Sequence, residues 1–340
     1  MSGAGVLRGY RGTAVAPTTL DDESYLEAVQ ALRGIATGPL RAHAERDANA
    51  SVDVSAVPTG APSHQRIAVL PSVSVRDRVL RTSQDMLWRR VAATYERRRD
   101  ELVDLLDPDA SGAPAVPSYL GDYHLQPGGY HGDALAGLVY HYGTKIFWLG
   151  ANDRDEAKTA IVESVPAPAD GEVGVVVELA CSVGQSTTAF KARFADAEVW
   201  GIDPAAPMIR YARTRAHRMG VDVRFAQCAA EDLAFGDASV DLVFASLLFH
   251  EVPVEVARRI VEQVARVLRP GGVFVVNDMN PDALTASPWS EYERWWDTTH
   301  NSEPYEYAFL GSDFGALLGR HFRDVEFAGR GINARWTATR

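Results

Sequence analysis

Cysteine is nearly absent: Cys181 and Cys228 are the only two, and their spacing offers neither a disulfide framework nor a structural zinc site. That scarcity fits a reducing cytoplasm. The chain also lacks any apolar run near the roughly 18 to 20 residues of a membrane helix, and Met1 to Gly12 has no core of signal-peptide length. A soluble, cytoplasmic protein is therefore expected. Basic charge is in deficit, with 34 Lys and Arg against 45 Asp and Glu and a net charge of −11. This argues against a nucleic-acid backbone or an anionic membrane as partner. A small-molecule substrate remains, with a homo-oligomer or a partner subunit left open. Two nucleotide signatures are missing as well: neither G-x-G-x-x-G nor a phosphate loop ending in Gly-Lys-Ser/Thr occurs, which weakens pyrophosphate and triphosphate readings.

What is present is enough for more than one core: 340 residues, 46% of them hydrophobic. Residues 1–18, rich in Gly, Ala and Thr, read as a flexible terminus. Residues 19–165 read as a mainly helical, substrate-covering domain. In it Thr19 caps a helix to Arg33, Val75 to Leu106 carries apolar residues at helical spacing as one long or broken helix, and Asp155 to Val165 forms a short helix. Asn49 to Ser63 reads as a loop, and Pro108 to Gly129 is too broken by Pro and Gly to be regular throughout. Pro166 to Gly171 marks a boundary. Beyond it, strand and helix signals alternate from Val173 to Asp278, which predicts βαβ units and a parallel sheet covered on both faces. Phe322 to Phe327 and Ile332 to Thr337, separated by Ala-Gly-Arg-Gly, predict a closing antiparallel hairpin.

The chemistry concentrates at strand ends. Val175-Val-Val-Glu-Leu-Ala-Cys-Ser-Val-Gly-Gln-Ser-Thr187 is an apolar run that ends in an acid and then in a tight small-residue turn opening a helix. Ligands of open α/β sheets sit beyond such carboxyl ends. Glu178 is placed to accept hydrogen bonds there, and Ala180, Ser182 and Gly184 let backbone approach a ligand. An acid in that place repels phosphate and suits an amino or hydroxyl donor. Val199-Trp-Gly-Ile-Asp203 repeats the pattern one strand later, followed by strand ends at Arg224 to Leu233 and Asp241 to Glu251.

In this order and spacing the motifs resemble the class I S-adenosylmethionine-dependent methyltransferases, of the small-molecule type with a Cys-Ser-Val-Gly variant of the glycine loop. The resemblance covers roughly residues 170–340 and leaves an N-terminal helical extension outside it. It implies an α/β fold with a doubly wound, mostly parallel, seven-stranded Rossmann-like sheet, and S-adenosylmethionine as cofactor. Glu178, Ala180, Ser182 and Gly184 match the first loop, Asp203 the ribose-binding acid, Ala230 and Glu231 the adenine segment, Ser246 the fourth strand end, and Leu268-Arg-Pro-Gly-Gly272 a turn before strand five. One position departs: Ala229 stands where the family usually has Asp or Asn, so a contact to the adenine amine is missing, a loss of about 1 kcal/mol.

His250, after the fourth strand, is the candidate catalytic base, because its unperturbed pKa suits proton transfer near neutrality; the other reading is a histidine capping the next helix. Trp295, His300, Asn301, Glu303 and Tyr305 resemble the insertion that closes over the acceptor, and Tyr123, His124, Tyr130 and His131 lie in a glycine-broken loop suited to a lid. His250 and His300 have no clear third ligand, so no metal site is expected. The arginines between Arg76 and Arg99 are expected to pair with Asp85, Glu96, Asp100 and Glu101 rather than to bind an anion. The expected function is methyl transfer to a small molecule, in specialised metabolism. The alternatives are a methyltransferase-fold enzyme running a cofactor-independent ring closure or elimination, and a non-catalytic partner subunit.

Overall fold

The computed structural model describes residues 13–51, 63–106, 115–121 and 123–340. The expected flexible terminus up to residue 12, most of the Asn49 to Ser63 loop and residues 107–114 lie outside the described residues. Strands β1 (Val175–Leu179), β2 (Glu198–Asp203), β3 (Arg224–Gln227), β4 (Val240–Ser246), β5 (Leu268–Met279), β6 (Arg323–Arg330) and β7 (Asn333–Thr339) form one sheet, ordered β3-β2-β1-β4-β5-β7-β6. The first five run parallel, while β7 is antiparallel to both β5 and β6. The chain therefore reverses direction of sheet growth between β1 and β4, and a crevice opens there at the carboxyl ends.

Fourteen-residue α10 (Val254–Val267) covers one face, its Ile260, Val261 and Val264 packing on Val177, Val243 and Phe274. The other face buries Val176, Leu242, Phe244 and Val275 against Phe190 of α8 (Gln185–Arg193) and Val162 of a short preceding helix. Burial on both faces explains the unbroken apolar reading of these strands. One expected turn is strand instead: Leu268 to Gly272 begins β5, with an irregular register opposite Val240 to Leu242, because Gly271 N and Arg340 N exchange bonds with Arg340 O and Gly272 O.

The N-terminal part is helical, as the apolar spacing predicts. Its helices are α1 (Leu20–Ile35), a π turn over Ala36–Leu40, α2 (Arg41–Ser51), α3 (Ser63–Ala68), α4 (Pro71–Glu96), α5 (Arg99–Leu105), α6 (Ala136–Phe147) and α7 (Glu156–Glu163). Thr19 caps α1 by accepting from Asp22 N at 3.1 Å. Leu26, Val29, Leu87, Val91, Tyr95, Leu138 and Tyr142 form a core that continues into Met208 and Tyr211 of α9 (Ala206–Met219), so this part is welded to the sheet domain. A Cβ on Gly143 would lie 2.0 Å from Trp88, which is why α6 can cross α4 so closely only with glycine. The arginines of α4 and of the turn into α5 are paired as expected at Arg89–Asp85 (2.7 Å) and Arg99–Glu96 (2.6 Å), and Arg90 and Arg97 converge on Asp22. After β5 come α11 (Pro288–His300), α12 (Glu306–Leu310) and α13 (Phe314–Gly319). No helix among the described residues is long and apolar enough to cross a membrane.

Candidate active site

A cavity of about 330 Å³ lies over the carboxyl ends of β1, β2, β4 and β5 and is closed from above by α4, α6 and the Asn301 to Glu306 segment. Its floor is the turn after β1. Ala180 (φ 50°), Ser182 (φ 51°) and Gly184 (φ 73°) all adopt the left-handed conformation. Two of these carry a Cβ, at a cost of roughly 1 kcal/mol each, a strain characteristic of functional turns. The turn is pinned from β2, where Asp203 accepts from Ser182 N and Ala205 N, both at 2.9 Å. Burial pushes the Asp203 carboxyl up to about 6 and that of Glu178 to about 7, although the Thr187 hydroxyl donates to Glu178.

Four of the expected cofactor residues besides these acids line the cavity: Ala180, Ser182, Ala230 and Ser246. Two do not. Gly184 caps α8 and packs beneath the turn, where a Cβ would meet the Phe225 ring at 2.6 Å. Glu231 is held aside by the Tyr119 hydroxyl at 2.8 Å and by Arg259 at 3.7 Å. Pro204 and Met208 complete an apolar slot beside Ala230. Lys158 of α7 also reaches the cavity, near enough to Glu178 for their charges to interact. It escapes a motif search because it lies outside the glycine loop's neighbourhood, although it is one of only three lysines in the chain.

Trp88, Tyr130, Tyr140, Phe147 and Trp148 give the cavity an aromatic wall, and Tyr140 of it hydrogen-bonds Ser182 in the turn after β1. Tyr130 and Tyr140 meet edge to face at 5.4 Å. His250 also lines the cavity; its ring is buried and its Nδ1 lies 2.6 Å from Asp278 Oδ1. Asp278, at the end of β5, is itself fixed by the amides of Leu248, Phe249 and Met279 at 2.8 to 3.1 Å. Burial lowers the pKa of His250, but Asp278, Glu303 and Glu251 outweigh it and raise it to about 10. Contacts of this kind favour the charged imidazolium, so the ring lacks the ordinary pKa from which its reading as a base started. Its contact to Asp278 also shows that it does not merely cap the next helix.

Of the expected acceptor residues, His124, Tyr130, Asn301 and Glu303 line the cavity. Tyr123 is buried behind it, its hydroxyl 2.8 Å from Glu251 O. Trp295 faces away and stacks on His64 at 4.7 Å, and His300 packs on Trp295 and Trp296 beside Arg81. His131 and Tyr305 are not among the lining residues. The reason is helical: Trp295 and His300 sit on the outward side of α11, whereas Arg294 and Asp297 of the same helix point in. Arg294 pairs with Glu306 at 2.8 Å; burial raises the carboxyls of Asp297 and Glu306, to about 6 and about 8.

Residues 176–272 match the family described as a methyltransferase domain. Among curated relatives, a malonyl-[acyl-carrier protein] O-methyltransferase of Xylella fastidiosa is 29% identical over 38% of this chain and 43% of its own. The O-methyltransferase cnsE of Penicillium expansum is 30% identical over 49% of this chain and 60% of its own. The chain thus spans about half the length of the curated relatives it matches. A solved structure of a putative methyltransferase from Bacillus halodurans is 20% identical, covering 52% of this chain and 70% of that one, with a TM-score of 0.40.

Proposed function

We propose that residues 170–340, of which 176–272 match a methyltransferase domain, form a class I S-adenosylmethionine-dependent methyltransferase domain, and that the whole protein transfers a methyl group from this cofactor to a small-molecule acceptor. The observation that carries the reading is the single cavity joining the strand-end acids Glu178 and Asp203 to His250 and the aromatic wall. The residues present suit the cofactor. Glu178 and Lys158 offer one charge of each sign for a zwitterionic amino-acid group, Asp203 accepts ribose hydroxyls, and Pro204, Met208 and Ala230 give a purine an apolar slot. Ala229 supplies no side-chain contact to the base, at a loss of about 1 kcal/mol. When bound, S-adenosylmethionine supplies an electrophilic sulfonium methyl.

The chain's own work is then alignment. The aromatic wall contributed by residues 88–148 excludes water and holds the acceptor's apolar body, while His250 hydrogen-bonds the reacting atom at Nε2 with its direction set by Asp278. Residues 19–165 thus act mainly as the acceptor-covering part, with Lys158 reaching the cofactor, and residues 170–340 as the cofactor-holding part, with His250 reaching the acceptor. One chain supplies both walls, so a second copy is not needed to complete the site. The acceptor's place in specialised metabolism is part of this proposal.

The test is calorimetry with S-adenosylmethionine and S-adenosylhomocysteine, followed by acceptor panels of aromatic acids, phenols and amines read by S-adenosylhomocysteine release. Binding of both ligands and cofactor-dependent turnover are expected. No binding at about 1 mM, or turnover of a substrate without cofactor, refutes the proposal in favour of the ring-closure or elimination reading.

A further inference from the structure

Three side chains from distant parts of the sequence meet at the acceptor end of the cavity. His124 Nδ1 lies 2.9 Å from Glu303 Oε1, and His124 Nε2 lies 3.6 Å from Glu251 Oε1. One donor atom from each of the three falls within 4.8 Å of the others. A cation at about 2.0 to 2.2 Å takes only one of the two ring nitrogens and sets its ligands about 3 to 4 Å apart, so the three side chains need to draw together only slightly to hold one.

A second observation points the same way. Glu303 is 2% exposed, and its Oε2 is buried without a hydrogen-bond partner, 3.9 Å from His250 Nε2. A buried carboxylate oxygen without a hydrogen bond costs about 1 to 3 kcal/mol or more, and the His250 ring at 3.9 Å is too far to supply one, which leaves room for a cation. Arg294, the nearest guanidinium in the lining, is already engaged by Glu306 and Asp297. Gln84 donates to the His124 backbone carbonyl at 2.9 Å, and Asn301 Nδ2 sits 3.4 Å from the ring's Nδ1.

We propose that His124, Glu251 and Glu303 form a three-ligand site for a divalent first-row transition-metal cation, with its open positions facing the cavity. One imidazole with two carboxylates favours such a metal over magnesium or calcium, which take all-oxygen shells. Two carboxylates and a neutral imidazole balance a charge of about +2 without another anion. The open positions face the acceptor chamber beside His250, so an acceptor oxygen can ligate the cation while its apolar body rests on the aromatic wall. This role toward the acceptor rests on the methyl-transfer reading; the site itself does not.

The test therefore uses neither cofactor nor acceptor. The full chain is stripped with a chelator and titrated with Co²⁺, followed by visible absorption and calorimetry, with Zn²⁺ in parallel. One equivalent per chain is expected, with a dissociation constant of about micromolar. Glu303→Gln and His124→Gln each weaken it on the order of 100-fold, and the part-exposed Glu251→Gln does so even if the buried Glu303→Gln fails to fold. His300→Ala leaves it unchanged. The proposal is overturned if neither ion saturates below about 1 mM, or if folded Glu251→Gln, checked by circular dichroism, binds Co²⁺ as the parent does. A protein that binds Co²⁺ yet transfers no methyl group keeps the site and loses the methyl-transfer reading.

Discussion

Replacing Lys158 with methionine separates the two ends of the cofactor site. Lys158 lines the cavity close to Glu178, and no other lysine and only one arginine, Arg294 at the acceptor end, share that lining. If its ammonium holds the carboxylate of the ligand's amino-acid group, the variant loses one charge-assisted hydrogen bond, about 2 kcal/mol or roughly 30-fold in affinity. A second loss follows from electrostatics. Lys158 lowers the pKa of Glu178, which burial has raised to about 7. Without that charge Glu178 is more protonated at neutral pH and holds an ammonium less well. The assay is calorimetry at pH 7 with two ligands: S-adenosylhomocysteine, which has the amino-acid group, and 5′-methylthioadenosine, which lacks it. The variant should weaken the first by about 30-fold or more and the second by less than about threefold. Equal losses for both ligands refute the reasoning, because they mean that Lys158 shapes the pocket rather than meeting the charged end.

His250→Ala and Asp278→Asn should each lower kcat by about 100-fold or more while S-adenosylhomocysteine affinity changes less than about threefold; an equal loss of affinity would place His250 in the cofactor half. Glu178 should make the free protein less stable as pH rises from 4.5 to about 7, since its raised pKa means that the folded state holds a proton the unfolded chain has given up. Melting temperatures of the parent and Glu178→Gln across that window measure this, and an identical pH slope in both excludes it. Cofactor affinity should run the opposite way and strengthen through pH 7, as Glu178 ionises to meet the ligand's ammonium. Gly184→Ala should cost about 2 kcal/mol or more, because its Cβ meets Phe225 at 2.6 Å in a left-handed turn, whereas Ser182→Gly should relieve strain and stabilise by about 1 kcal/mol in denaturant unfolding.

The cofactor half was legible because its residues lie where an unbroken apolar run stops: Glu178 and Asp203 stand at the ends of β1 and β2, and Asp278 stands likewise at the end of β5. Asp278 was passed over as a strand terminus, although the rule that exposed Glu178 applies to it equally. The acceptor half resisted reading for a different reason. Trp88, Phe147, Lys158 and Asp297 are brought in by helices whose rotation about their own axes is set by packing, and aromatic density along the sequence does not report which side faces inward. Trp295 and His300 stood out in the sequence and face outward, while Arg294 and Asp297, their neighbours, face the cavity. Tyr123 and Glu231 fell into hydrogen bonds that tie the covering segment to the strand-end loops. The pKa of His250 is not legible from the sequence because Asp278 and Glu303, which set it together with the adjacent Glu251, come from separate segments.

The position of β7 between β5 and β6 has a consequence for how the polypeptide is made. During synthesis β6 leaves the ribosome before the strand that joins it to the sheet. Until Asn333–Thr339 emerge, the outer edge of β5 presents free amides and carbonyls, and Phe274 and Val276 have no roof from Trp336. An open apolar edge of this kind is a template for pairing between nascent chains. Expression yield should therefore depend on how soon β7 docks, and substitutions at Trp336 should first show as aggregation during translation, ahead of any change in the chemistry of the finished protein.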